Sequence, residues 1–353
     1  MNLRDRIAVR IANQGPISVA EYMTECLLHP QLGYYTSREP FGQAGDFTTA
    51  PEISQMFGEL IGLCLAQAWL DQGSPVPVTL AELGPGRGTL MADVLRATKS
   101  IPGFHAAVEI TLVEASDRLA ALQDEALAGY AVHRVALPEA LPDQPMLLVA
   151  NEFFDALPIR QFLRDGDGWR ERLVGLGDEG ALAFGLGPPR RMPELEHRLV
   201  DTRDGDLVEV SSAAQGVASA IGSRIAQHGG AALIIDYGDW RSLGDTLQAL
   251  KDKRPADPLE APGEADLSAH VDFEALALAT PGAFTRLTPQ GVFLERLGIA
   301  QRAKALARGM SGAALDNHLA AHRRLTHPDE MGNLFKVMAF YPTDAAPPPG
   351  LDP

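Results

Sequence analysis

The segment Glu82-Leu83-Gly84-Pro85-Gly86-Arg87-Gly88-Thr89 constrains this chain more than any other. It follows an apolar run, VTLAEL at 78–83, and opens onto TLMADVLRAT, whose apolar spacing fits an amphipathic helix. Strand, glycine turn and helix in that order form the entry to an open α/β sheet, where ligands sit beyond the carboxyl ends of the strands. Glycine is needed because the chain reverses sharply and a ligand approaches the backbone with no Cβ in the way. Further strand-like runs follow at 109–114, 130–135 and 146–151, with helices expected at 89–98 and 116–128. Strands alternating with helices imply right-handed crossovers and a parallel sheet.

The flanking regions read differently. Residues 3–13 and 18–28 form two amphipathic helices separated by Gly15-Pro16, and Ser18 with Glu21 makes a capping-box pattern. A loop rich in Gly, Pro and Thr runs from His29 to Pro51, too long and aromatic for a passive linker. An apolar helix is expected at 52–72. After residue 158, Gly-Asp-Gly turns between short strands predict an antiparallel insertion. A helix at 211–227 and a buried strand at 231–238 resume the alternation, and Asp239 to Ser268 reads as a second long loop. A strand near 283–288, a helix at 290–307 and a closing strand at 334–340 follow. The expected division is a helical segment with a lid loop (1–75), the first half of the core (76–158) and an accessory insertion (159–210). The second half of the core (211–343), with its inserted loop 239–270, precedes a disordered tail (344–353).

Composition narrows the function. A formal charge of −16 argues against nucleic acid as a partner, since a sequence-independent binder needs a basic footprint. Cys26 and Cys64 show neither CxxC spacing nor histidines at ligand spacing, so no metal site is expected and both read as buried free thiols. No run of about twenty apolar residues offers a membrane span, and the first residues lack the apolar centre of a secretory signal. A cytoplasmic location is expected.

The turn itself selects a cofactor. Gly84-x-Gly86-x-Gly88 is GxGxG, not the GxGxxG that admits a pyrophosphate, and it lacks the Lys-Ser/Thr pair of a phosphate loop. Glu82 would repel phosphates yet suits the cationic amino group of a methionine moiety. Glu114, at the end of the next strand, is placed to accept hydrogen bonds from both hydroxyls of a ribose. This is the arrangement of enzymes that use S-adenosylmethionine, and Glu82, Gly84, Pro85, Gly86, Gly88, Thr89, Glu114, Asn151 and Thr48 are the expected cofactor residues. The glycine spacing argues against the alternative of an NAD-dependent oxidoreductase. A non-catalytic assembly factor that binds the same cofactor would keep the same turn, and a small-molecule methyltransferase is a third reading.

The chain resembles the MidA-like family of class I methyltransferases, which includes a mitochondrial arginine methyltransferase that assists assembly of respiratory complex I. The resemblance runs from GPISVAEYM (15–23) to MGNLFKVM (331–338). It rests on HPQLGYY (29–35), GDFTTAPEISQMFGE (45–59), ELGPGRGT (82–89), NEFFDALP (151–158), IDYG (235–238), DLSAHVDF (266–273) and TPQGVFLERLGI (288–299). Pro289 departs from the family's usual Thr-Gln-Gly. The resemblance implies a Rossmann-like sheet of seven strands with the last antiparallel, an additional mixed α+β domain, and S-adenosylmethionine as cofactor. It also implies a protein arginine as acceptor, on the complex I subunit that corresponds to the mitochondrial 49 kDa one. A homodimer is a further expectation.

Methyl transfer from a sulfonium needs proximity and alignment above all. An arginine acceptor adds a need for carboxylates, which orient a guanidinium by paired hydrogen bonds. Glu152 and Asp155 follow the fourth strand three residues apart, so one helical turn would put both on one face to clamp the acceptor, with Phe153 or Phe154 walling the methyl path. Asp46 and Thr48 form a candidate lid, with Thr49 the expected N-cap of the helix beginning near Pro51. Asp236 and Tyr237 end the fifth strand and offer a carboxylate or a phenol. His270, near Asp272, is a candidate general base.

Overall fold

The computed structural model describes residues 1–37 and 49–353. The chain divides into two units. One holds residues 1–47, 155–215 and 241–272; the other holds 48–154, 216–240 and 273–353.

The second unit is built on the apolar runs. Val78–Leu83 (β1), Val108–Val113 (β2), Val132–Val135 (β3), Met146–Asn151 (β4) and Gly230–Asp239 (β5) lie parallel in the order β3-β2-β1-β4-β5. β1 and β4 are buried at every position, which is why they read as continuous apolar runs and not as alternation. Ala283–Phe284 (β6) forms the edge, and the closing strand Phe335–Tyr341 (β7) lies between β6 and β5, antiparallel to β5. This is the seven-strand path with an antiparallel last strand that the resemblance implies. Helices Gln55–Asp71 and Thr89–Thr98 bury Phe57, Ile61, Leu65, Leu90 and Val94 in one core with the strands.

The other unit is antiparallel. Arg160–Asp165, Gly168–Leu176, Leu182–Leu186 and Leu207–Val210 form a sheet joined by the short strand Ile17–Ser18. Helices Leu3–Gln14 and Val19–Leu28 pack their apolar stripes with Ile159, Val174 and Leu267. The Ser18–Glu21 capping box forms on both sides.

Four expectations need correction. Residues 239–268 are not one loop: Gln248–Lys251, Arg254–Ala256 and Asp266–Ser268 make a three-stranded sheet. Its hairpin turns through Asp252 and Lys253 at φ 51° and 62°, a left-handed pair that Asn-Gly or Asp-Gly would announce and Asp-Lys conceals. The helix expected at 290–307 is two, Gln290–Arg296 and Ile299–Leu306, because Gly298 takes φ 90° and ends the first. The tail expected to be disordered packs: Leu351 is buried in the core and the Asp352 carboxylate pairs with Arg296 at 2.9 Å. Its prolines suggested low complexity, but besides Leu351 the Arg296 guanidinium also holds the Gly350 carbonyl, at 3.1 Å. Finally, the helix expected at 52–72 starts at Gln55; Ala50–Ile53 is a separate turn, because Ser54 is extended and its hydroxyl caps Met56 N–H.

Candidate active site

The glycine turn begins where β1 ends. Gly84, Gly86 and Gly88 all take positive φ (59°, 51° and 82°), a region that side chains with a Cβ rarely adopt. Gly84 donates its N–H to Val113 O on β2, and a Cβ on it would stand 3.0 Å from the Phe153 ring. The tight sequence signal therefore has two causes, backbone conformation and the ring seated against it. Pro85 is buried within the turn, and its carbonyl accepts the Gly88 N–H at 2.8 Å.

Glu82 lies at the end of β1 and is buried. Burial is the main reason its carboxyl is pushed up to about 8; the neighbouring charge of Glu114 adds to this, and a hydrogen bond from the Met91 backbone opposes it. Its Oε2 has no hydrogen-bond partner among the described residues. Such a carboxyl keeps its proton near neutral pH, and a cationic donor beside it would draw it into the ionised, accepting form.

Glu114 sits one residue past β2. Its Oε1 accepts the Ser116 N–H at 2.7 Å and its Oε2 accepts the Gln123 side-chain amide at 3.0 Å. Burial holds its carboxyl above the ordinary range, against the pull of hydrogen bonds from Ser116, Gln123 and Ala115 and the Arg134 charge. Gln123 was not legible as a site residue: it lies inside the helix Asp117–Ala126 and belongs to no motif.

β4 brings the third set. Asn151 ends that strand, and its side-chain amide donates to Glu152 Oε1 at 3.1 Å. Its Oδ1 has no partner among the described residues. Glu152 takes φ 52°, and its Oε1 also accepts the Ala50 N–H at 3.1 Å. The Thr89 hydroxyl donates to Glu52 Oε1 at 2.6 Å, so the turn Ala50–Ile53 is tied both to β4 and to the helix after the glycines. Thr49 stands at the N-cap of that turn, but its side chain makes no cap hydrogen bond.

The segment after Glu152 is not helical. It bends and turns from Glu152 through Leu157, so Glu152 and Asp155 do not share a helical face. The cause is Asp236: its buried carboxylate accepts the backbone N–H groups of Phe153 (3.2 Å), Phe154 (2.9 Å) and Tyr237 (3.0 Å). The Asp236 read as a possible reacting carboxylate thus sets the course of the chain that carries Glu152. Phe153 and Phe154 meet edge to face with ring centres 5.4 Å apart.

Asp155 and His270 belong to the other unit. There Asp155 is buried, and its carbonyl accepts the Ala269 N–H at 3.0 Å. Desolvation, then the charges of Asp266 and Asp155, hold the Tyr35 phenol well above its usual range, and Asp266 takes its hydrogen bond. His270 N–H donates to Thr246 Oγ1 at 2.8 Å, and Asp272 accepts the Ser242 N–H at 3.2 Å. Asp46 and Thr48 lie outside the described residues.

Comparison with known proteins follows the same lines. Residues 60–291 match the family described as "Putative S-adenosyl-L-methionine-dependent methyltransferase". The chain is 37% identical to the protein arginine methyltransferase NDUFAF7, mitochondrial, of Danio rerio, over 94% of this chain and 85% of that one. It is 36% identical to the Homo sapiens protein of the same name, over 94% and 82%. The crystal structure of a Burkholderia thailandensis protein bound to S-adenosyl-homocysteine superposes with a TM-score of 0.83 at 30% identity, covering 99% of this chain and 93% of that one. No helix among the described residues is long and apolar enough to cross a membrane. With a glycine turn that rejects pyrophosphate spacing, and with these relatives along nearly its whole length, the chain belongs to this family of S-adenosylmethionine-dependent methyltransferases.

Proposed function

We propose that this enzyme methylates an arginine side chain of a protein. The observation that carries this reading is the match, over 94% of the chain, to relatives named as protein arginine methyltransferases. The acceptor we propose is the respiratory complex I subunit that corresponds to the mitochondrial 49 kDa one, on the strength of the whole-chain family resemblance.

The residues at the ends of β1 and β2 fit S-adenosylmethionine. Glu82 offers a buried acceptor without a partner among the described residues, suited to the ammonium of the methionine end. Glu114 is the ribose acceptor, and the positive φ of Gly84, Gly86 and Gly88 shapes the turn beside it. When bound, the cofactor supplies a methyl group on a positively charged sulfur. The chain's own work is alignment. Phe153, packed on Gly84, walls the site against water. Glu152, fixed by the Ala50 and Asn151 donors, orients the acceptor guanidinium through its carboxylate. Asp155 and His270, in the other unit, are read by their own variants.

The test supplies labelled S-adenosylmethionine and the purified candidate subunit, then locates methyl groups by mass spectrometry. Methylarginine with the wild type, and its loss with Glu152→Gln at unchanged cofactor affinity, is the expected result. Intact cofactor binding with no transfer to any arginine would overturn the arginine reading and leave a non-catalytic assembly factor or a small-molecule methyltransferase.

A further inference from the structure

Gln123 is completely buried, yet it contributes nothing to the apolar core. Its side-chain amide makes three hydrogen bonds, and two of them reach candidate cofactor residues. Nε2 donates to the Gly86 carbonyl at 2.9 Å and to Glu114 Oε2 at 3.0 Å; Oε1 accepts from Arg134 Nε at 3.1 Å. The orientation of the amide follows from chemistry. Turning it over would set its oxygen against a carbonyl and a carboxylate, and its NH2 against a guanidinium that can only donate. Arg134 therefore locks the amide from behind, and Asp124, 2.8 Å from Arg134 Nη2, helps to hold the guanidinium.

We propose that Gln123 is a positioning residue for the cofactor: it ties the middle glycine of the turn to the ribose acceptor and fixes the rotamer of Glu114. This rests on the reading of Glu114 as the ribose acceptor. With Oε2 held by Gln123 and Oε1 by the Ser116 N–H, the carboxylate cannot rotate, so the lone pairs that remain point in set directions before any ligand arrives. The helix carrying Gln123 lies against the turn: a Cβ on Gly88 would stand in ordinary contact, 3.4 Å from Gln123 Cα and Ala126 Cβ. The device joins two strand ends, β1 through Gly86 and β2 through Glu114, in one amide.

The test is a double-mutant cycle read as S-adenosyl-homocysteine affinity by calorimetry, using Gln123→Met, Glu114→Ala and the pair. Loss of a hydrogen bond to a charged group predicts about a 10-fold weaker complex for Gln123→Met, and about 30-fold for Glu114→Ala. The pair should be no more than about 3-fold weaker than Glu114→Ala alone, because Gln123 acts through that carboxylate. A purely structural glutamine would multiply the two losses, and multiplication overturns the proposal while leaving the ribose reading intact. Wild-type affinity in Gln123→Met overturns it as well. Wild-type affinity in Glu114→Ala sinks the ribose reading and the proposal with it. Should Gln123→Met fail to fold, Arg134→Met keeps the glutamine but unlocks its amide. About a 3-fold loss, again absent in a Glu114→Ala background, is expected, and no loss overturns the proposal.

Discussion

Two buried polar clusters in this protein look alike by composition and differ in how they are satisfied. Around Glu209, in the antiparallel unit, each carboxylate oxygen is used. Gln161 donates to Oε1 at 2.7 Å, the Thr246 N–H to Oε1 at 3.0 Å and the Thr246 hydroxyl to Oε2, while Gln161 also meets Asp245 and Arg172. At the end of β1, Glu82 Oε2 has no partner among the described residues, nor has Asn151 Oδ1 at the end of β4. Both carboxyls are pushed up by burial. A closed network holds a fold together; an open one costs stability and is retained where a ligand completes it. At these two clusters, of similar composition and depth, that difference is what sets the candidate site apart from the scaffold.

That contrast can be broken by experiment. Gly86→Val forces a Cβ into φ 51° at the turn and should weaken S-adenosyl-homocysteine binding by more than about 100-fold in calorimetry. Near-normal binding would reduce the turn to a structural feature. Glu209→Ala strands Gln161 and Thr246 and should cost about 2–3 kcal/mol in denaturant unfolding, with ligand affinity unchanged. If affinity fell with stability, the two clusters would not be separable.

Glu82→Gln should do the reverse, weakening the ligand by about 10-fold and leaving the fold at least as stable. Its pH dependence sharpens the point. The folded Glu82 carboxyl stands at about 8 against an ordinary 4.5, so the folded state binds the extra proton between those values. Stability from this group therefore falls as pH rises through that window, and Glu82→Gln should flatten the slope. The smallest effect expected is proton release. A cation beside Glu82 favours its ionised form, so binding near pH 7 should expel up to about one proton per site. Calorimetry in buffers of different ionisation enthalpy would detect this, and Glu82→Gln should abolish it.

Some of this site was readable because its causes are local. A glycine at positive φ leaves a mark at its own position, and an acid placed at a strand end is counted by spacing, so Gly84, Gly86, Gly88, Glu82 and Glu114 were all named from the sequence. Gln123 was not, because nothing within its helix announces that its amide crosses to another strand end. The three-residue spacing of Glu152 and Asp155 suggested a helix that the Asp236 carboxylate forbids by taking the Phe153 and Phe154 N–H groups. The hairpin at Asp252-Lys253 was hidden for a related reason: its left-handed residues are held by the pairing of Lys251 with Arg254 and not by glycine.

By itself the sequence determined the alternation of the parallel core and the kind of cofactor, since apolar periodicity and glycine spacing are properties of neighbours along the chain. The tertiary structure alone decided which carboxyls are closed and which stay open, that Asp236 steers the chain, and that Gln123 joins the turn to Glu114. The Gln123–Gly86 and Asp236–Phe153 bonds join residues 37 and 83 apart along the chain, brought within hydrogen-bond distance only by the packing of the sheet and its helices.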